Sequence, residues 1–453
     1  MSEEMNIINK YMPELCADVE ERYAIPKSAF SSGVHRGLRN PDGTGVLIGA
    51  TRIGSVRGYR MEDGERIPMP GKLLYRGIDL DDLIENQRKM APFGYEEASF
   101  LLLFGKLPTR HELELFKKML AEARPLPQGF FDDMILKNPS NNIMNGLERS
   151  ILALYTYDDD PESRSIDKLV AQSVSLIARF PVIVAQTYQV KRHVYEGKSL
   201  YIHRPKDDLS LAENFLMLVR KDKKYTAEEA NLLDLMLLLH AEHGAGNNSA
   251  FVCRAISSSG SDTYSAIAGA VGSLKGPLHG GANCKVMEMF GYLDKAVTNK
   301  RDDDEIRRVL GEILEGRGND GSGKIYGLGH AVYTLSDPRA VAIKKYARSM
   351  AESTGRADEF EFMERVERVG IELLMQRKKD GFPMCANVDF YSGFVYSMLR
   401  IPPELYTPLF ATARISGWCA HRIEEVLTGG RIMRPAYRAY MKDNKYVPID
   451  ERG

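Results

Sequence analysis

The sequence predicts a mainly α-helical chain of two domains with a few short strands near its N-terminus. Three observations carry that prediction. Apolar residues recur at helical spacing through most of the 453 positions. Strand-like patterning is confined to one early stretch. A charged, Gly-rich segment between 290 and 325 marks the edge of a second, smaller domain.

The opening MSEEMNIINKYMPELCADVEERY is acidic and amphipathic, unlike a secretory signal or an Arg-rich transit peptide. Residues 44–76 are Gly-punctuated and rich in Val, Ile and Thr, which predicts a few small strands. Beyond them EEASFLLLFGKL, RHELELFKKMLAEA, IDKLVAQSVSLIARFPVIVAQTYQV, AEEANLLDLMLLLHAEH and ADEFEFMERVERVGIELLMQRK follow the i, i+3, i+4, i+7 rule of a buried helix face. Pro108, Pro125, Pro181 and Gly244 punctuate these segments. The longest uninterrupted apolar runs, FLLLFG and LMLLLH, are too short to span a bilayer, so the chain is expected to be soluble.

Lys and Arg number 61 against 62 Asp and Glu, so charge offers no reason to expect nucleic acid or an anionic membrane as partner. The five cysteines are scattered, the nearest pair being Cys253 and Cys284. With no CxxC pattern they read as thiols of a reducing cytoplasm.

Four polar clusters can carry chemistry. LMLLLHAEHGAGN ends an apolar helix in His240 and His243, three positions apart on the last turn. HAEH lacks the i, i+4 spacing of a zinc helix, and no metal set is expected. In KGPLHGGAN, Gly276-Pro277 ends one helix and His279 falls at the start of the next, where the helix dipole disfavours imidazolium. The following glycines leave backbone room for a ligand. KIYGLGHAVYTLSDPRA holds a Gly-spaced loop, then His330, then an Asp337-Pro338 helix start with Arg339 in the first turn. Asp337 is expected to be an N-cap. The fourth cluster spans NVDFYSGFVYSML, FATARISGWCAH and GGRIMRPAY. Asp389 lies between Val388 and Phe390, an apolar setting that raises a carboxylate's proton affinity and suits a general base. Arg414 lies within an apolar run and needs an anionic partner, from the protein or from a ligand. Neutral histidines, one carboxylate and several arginines make a kit for proton abstraction beside a carbonyl on a carboxylate-rich substrate.

HAEHGAGNNSA, GPLHGGAN, GLGHAVY followed by DPRA, NVDFYSG and MRPAY, in that order, resemble the signature of the citrate synthase family. The likeness extends upstream to LLYRGIDLDDL and downstream to the YVPIDERG tail, nearly the whole chain. The resemblance implies an almost wholly helical homodimer with its active site shared between subunits. It implies a large domain over 1–280, a small domain over 281–390 on the acyl-CoA side of a cleft, and a return to the large domain with a C-terminal arm over 391–453. It implies condensation of acetyl-CoA with oxaloacetate, then hydrolysis to citrate and CoA, with acetyl-CoA as co-substrate and no permanently bound cofactor. Asp389 would be the base, His279 would hold the thioester oxygen, and His330 would polarise the ketone. His243, Arg339, Arg414 and Arg434 would bind carboxylates, Arg434 reaching the site of the other subunit. Lys324, Gly327, Leu328 and Gly329 would neighbour the CoA chain, and His240 would be structural. The family's basic residue after the GH of the third motif is absent here, since Ala331 and 334–336 supply none, so Lys324 or Arg36 is expected to meet the CoA phosphates. Three rivals stand beside this reading: a 2-methylcitrate synthase using propionyl-CoA, a non-catalytic relative binding acyl-CoA or a carboxylate, and a metal-dependent hydrolase.

Overall fold

The computed structural model describes residues 12, 16, 19–30, 33–35, 37–40, 44–90, 93–378, 381–441 and 444–452. Close backbone contacts divide the chain into two compact units. One runs from Ala50 to Met433, and the other joins the residues up to Gly49 with those from Arg434 onward.

In the larger unit the predicted β region is an antiparallel hairpin of β1 (Gly54–Glu62) and β2 (Glu65–Tyr75), to which β3 (Ile78–Asp79) adds an edge. Glu62 pairs with Glu65 across a two-residue turn, where Asp63 and Gly64 both adopt positive φ (49° and 84°). Gly58 and Gly71 press the hairpin onto the segment after His330. A Cβ on Gly58 would lie 2.3 Å from Val332 O, and one on Gly71 2.1 Å from Ser336 O. Only glycine permits that approach.

Helices make up most of the rest. The terminal unit holds α1 (Val19–Tyr23). The larger unit continues with α2 (Leu80–Met90), α3 (Tyr95–Phe104), α4 (Arg110–Ala123), α5 (Ile143–Leu154) and α6 (Ile166–Glu196). The next group is α7 (Leu211–Val219), α8 (Ala227–His240), α9 (Asn248–Ser258), α10 (Thr263–Lys275) and α11 (Ala282–Ala296). The last are α12 (Asp303–Leu314), α13 (Pro338–Ser353), α14 (Ala357–Arg377), α15 (Asp389–Met398) and α16 (Tyr406–Leu427). Their starts follow capping chemistry: Thr109, Ser210 and Thr226 each form a reciprocal capping box with the Glu three residues on.

Pro181 does not interrupt α6, which runs 31 residues through it. By length and composition alone that helix could cross a membrane, yet 72% of its most apolar window is buried inside the protein. It packs against α4, α5, α7 and α16. Helix α16 is the other centre of the core: it packs on α3, α6, α8, α9 and α10, and Arg414, Trp418 and Arg422 on it are fully buried. A second cluster, α11 and α13 on α15 and α12 on α14, positions Asp389.

Candidate active site

His279 sits in a tight turn between α10 and α11. Gly276 O accepts the backbone N–H groups of His279 (3.0 Å) and Gly280 (2.9 Å). A Cβ on Gly280 would fall 2.1 Å from Leu274 O, and one on Gly281 2.6 Å from Pro277 O. The glycine pair is thus required because the turn folds back on the helix it leaves. The fold adds a structural reason to the expectation that these glycines leave room for a ligand. The side chain of His279 is held from behind, with Nε2 3.1 Å from Ser249 Oγ. Ser249 in turn accepts a hydrogen bond from Trp418 Nε1 (3.2 Å) and donates its hydroxyl to Asn247 Oδ1 (2.9 Å). Burial, then the charge of Arg414, lowers the His279 pKa to about 4, so the ring is neutral at physiological pH. The neutral ring agrees with the sequence expectation, with burial and Arg414 as causes beside the start of α11, whose N-cap is Gly281.

His243, His330 and Tyr333 form an aromatic group. His330 stacks on Tyr333 (centroids 4.5 Å, 29°), and His243 meets both edge-on at 5.2 and 5.6 Å. His330 Nδ1 accepts the backbone N–H groups of Val332 and Tyr333, both at 3.0 Å. A nitrogen that accepts twice carries no proton, so in the neutral ring the proton is on Nε2, a donor. Burial, followed by the charges of Arg339, His330 and Arg414, holds His243 well below the usual histidine range. Its Nε2 is buried without a hydrogen-bond partner among the described residues. His240 is structural, as expected: Nδ1 donates to Met236 O (2.7 Å) and the ring packs on Phe410.

Asp337 caps α13 and binds Arg339 through backbone N (3.0 Å), Nε (3.0 Å) and Nη2 (2.8 Å). The same carboxylate accepts the N–H of Val388 (3.1 Å), tying the arginine's turn to the start of α15. Asp389 is the first residue of α15, its N–H fixed by Asn387 Oδ1 at 3.0 Å. Burial raises its pKa to about 6, with Arg339 and Arg414 opposing and Asp337 adding to the rise. Arg414 is buried with Nε on His240 O (2.6 Å) and its plane over Phe410. Its Nη1 and Nη2 have no hydrogen-bond partner among the described residues. Burial lowers its pKa to about 10, Glu242 working the other way. Buried guanidinium groups without a counter-oxygen are costly, and the arrangement is complete only with an anion.

The loop 324–329 lies along the same region. Gly329 N donates to Cys385 O (2.8 Å), Leu328 bridges Ala386, and Asn387 N donates to Gly327 O (2.9 Å). Gly327 (φ 82°) leaves space for Phe390, which a Cβ there would meet at 2.8 Å. Lys324 is exposed on its rim. Thr334 is buried, its hydroxyl donating to Gly58 O and Met69 O beneath the hairpin, so no cation stands at that position. Arg434 is exposed in the terminal unit, and Arg36 lies outside the described residues.

The structure therefore gathers His243, His279, His330, Arg339, Asp389 and Arg414 around one locus of the larger unit, where Arg339 and Arg414 act on both Asp389 and His243. Supporting residues that sequence reasoning left unassigned are Ser249, Tyr333 and Asn387. All three lay inside the quoted motifs, but only the fold reveals what they touch.

A family model described as "Citrate synthase, C-terminal domain" matches residues 41–436. The citrate synthase of Deinococcus radiodurans is 36% identical over 430 residues, covering 93% of this chain and all of that protein. The 2-methylcitrate synthase 1 of Corynebacterium glutamicum is 34% identical, covering 93% of this chain and 99% of that protein. Among solved structures, a citrate synthase of Thermoplasma acidophilum in a ternary complex with carboxymethyl coenzyme A and oxaloacetate superposes with a TM-score of 0.74. It is 27% identical and covers 90% of this chain and 97% of the other.

Proposed function

The chain belongs to the citrate synthase family, and from that premise we propose that it condenses acetyl-CoA with oxaloacetate and water to give citrate and CoA. One observation carries the reading most directly. A carboxylate with raised proton affinity, Asp389, shares a locus with a neutral histidine, His279, and with a buried arginine whose terminal N–H groups lack partners among the described residues, Arg414.

The chemistry follows from those properties. Asp389 takes a proton from the acetyl methyl group, for which a pKa near 6 is well matched. When the Ser249 hydroxyl proton turns from Asn247 Oδ1 to His279 Nε2, the imidazole proton resides on Nδ1 and serves the thioester oxygen as the enol forms. One such donor is worth about 3–4 kcal/mol of barrier. The enol carbon attacks the ketone carbon of oxaloacetate while the His330 Nε2–H stabilises the new alkoxide. Water then cleaves the thioester, releasing CoA. Arg414, Arg339 and His243 bind the carboxylates, and the loop 324–329 with Lys324 runs beside the CoA chain. The homodimer, with the partner subunit's Arg434 completing the clamp, and a cytoplasmic location belong to the same proposal. The five free cysteines support the location.

Relatives of both names at nearly equal identity keep propionyl-CoA in view, since one methylene in an apolar pocket discriminates by only about 1–3 kcal/mol. The test is a competition: equimolar acetyl-CoA and propionyl-CoA with oxaloacetate, products separated by mass. Citrate in excess is the expected result. 2-Methylcitrate in excess would rename the activity, and no product with either would favour a binding protein.

A further inference from the structure

Behind the carboxylate clamp lies a buried ionic chain that the reaction does not use. Glu242, between His240 and His243, is wholly buried, as is His421 on α16. His421 Nε2 lies 3.0 Å from Glu242 Oε1, which also accepts the N–H of Gly244. On its other side His421 Nδ1 lies 3.2 Å from Arg254 Nη1, and Arg254 is itself paired with Glu424 (2.6 Å) and Glu425 (2.8 Å). Because guanidinium nitrogens only donate, Nδ1 must accept. The imidazole is then neutral, with its proton on Nε2 and directed at Glu242.

The space around Glu242 is fitted to it. A Cβ on Gly54 would stand 2.6 Å from Oε1, and one on Gly417 2.6 Å from Oε2. Gly417 N also donates to Ala241 O (3.1 Å), so the turn carrying His243 is fastened to α16 at Gly417 and at His421. Arg414 lies one turn before Gly417 on the same helix, and its Nε returns to the same turn at His240 O. The two anion-binding groups are therefore held in register by one backbone hydrogen bond, one bond from the Arg414 side chain to a backbone carbonyl and one buried side-chain link.

We propose that His421 is a positioning residue for substrate carboxylate binding: as a neutral donor to Glu242 it fixes the turn that carries His243 relative to Arg414. The proposal rests on reading His243 and Arg414 as carboxylate ligands. Two consequences separate it from a general stabilising role. Loss of the donor should weaken oxaloacetate far more than acetyl-CoA, whose proposed neighbours His279, Asp389 and the loop 324–329 make no hydrogen bond to His421 or Glu242. A side chain that restores only the donor should rescue.

The experiment uses the full-length protein, with oxaloacetate binding measured by titration calorimetry alongside steady-state kinetics. His421→Leu is expected to raise the KM and Kd for oxaloacetate roughly 10- to 100-fold, the order expected when a buried charged acceptor loses one of its hydrogen bonds. The KM for acetyl-CoA should move by less than about threefold, the scatter of a distant contact. His421→Gln, whose amide Nε2 can donate to Glu242, should recover most of the loss. If His421→Leu fails to fold, His421→Ala supplies the test, because it removes the same donor to Glu242 without adding bulk and should also raise the oxaloacetate KM selectively. A folded variant of either kind with unchanged oxaloacetate affinity overturns the proposal, as does an equal loss for both substrates. Arg414→Lys run in parallel distinguishes the premise: if it too leaves oxaloacetate binding unchanged, the clamp itself is misassigned.

Discussion

Asp389 shows what a single residue contributes and costs. Its ordinary carboxyl pKa would lie near 3.8, and burial lifts it to about 6. The ionised form is the base, so kcat/KM for the acyl thioester should fall tenfold per pH unit below about 6. The sign for stability is opposite. A folded-state pKa above the unfolded value means the folded protein binds the proton more tightly, so stability falls as pH rises from about 4 to 6 and stays reduced above. Asp389→Asn should be inactive yet melt higher than the parent at pH 8, with the difference vanishing near pH 4, as read by thermal unfolding across that range. Equal melting temperatures at both pH values would show that the carboxylate is not held in an unfavourable setting. The Val388-Asp389-Phe390 triplet made this environment legible in advance. The Ser249 contact behind His279 was not legible, because the two residues are 30 positions apart and a serine in NNSA carries no signal of its own.

Between elements, the site depends on backbones that approach too closely for side chains. The loop 324–329 meets α15 at Gly327, where φ is 82° and a Cβ would strike Phe390, the residue beside the base. Gly327→Ala should cost about 1–3 kcal/mol in denaturant unfolding from the strained conformation alone. It should also raise the KM for acetyl-CoA more than that for oxaloacetate, since Phe390 and the loop share the acyl-CoA side. Unchanged kinetics would detach the loop from the acyl-CoA site. A second tie, Asn283 Nδ2 to Ser392 Oγ, joins the helix after His279 to the helix that opens with Asp389. Helical spacing predicted most of these elements, because a period of 3.6 is set by what each helix buries. The spacing ran unbroken through Pro181, and the break that the proline suggested does not occur, because burial along a 31-residue core helix outweighs the roughly 3 kcal/mol cost of a mid-helix proline. The reason for Gly280 and Gly281 was also hidden, since nothing in GPLHGG says that the turn folds back on α10.

At the scale of the whole molecule, the ordered motifs carried the family, whereas assembly and motion could be named only through resemblance. We propose that 281–390 moves as a lobe over the remainder when both substrates bind. Small-angle scattering of the protein alone and with oxaloacetate plus a non-hydrolysable CoA analogue should then differ, the liganded form being more compact, and superimposable profiles would contradict closure. The central claim is chemical, however, and it concentrates on one side chain. The measurement that tests it most directly is release of free CoA thiol from acetyl-CoA and oxaloacetate, comparing the parent protein with Asp389→Ala. The account predicts turnover by the parent and a loss of about 10²–10⁴-fold or more in the variant, with oxaloacetate binding retained. Thiol release at the parental rate by folded Asp389→Ala would contradict it, because the proton would then be leaving to some other base.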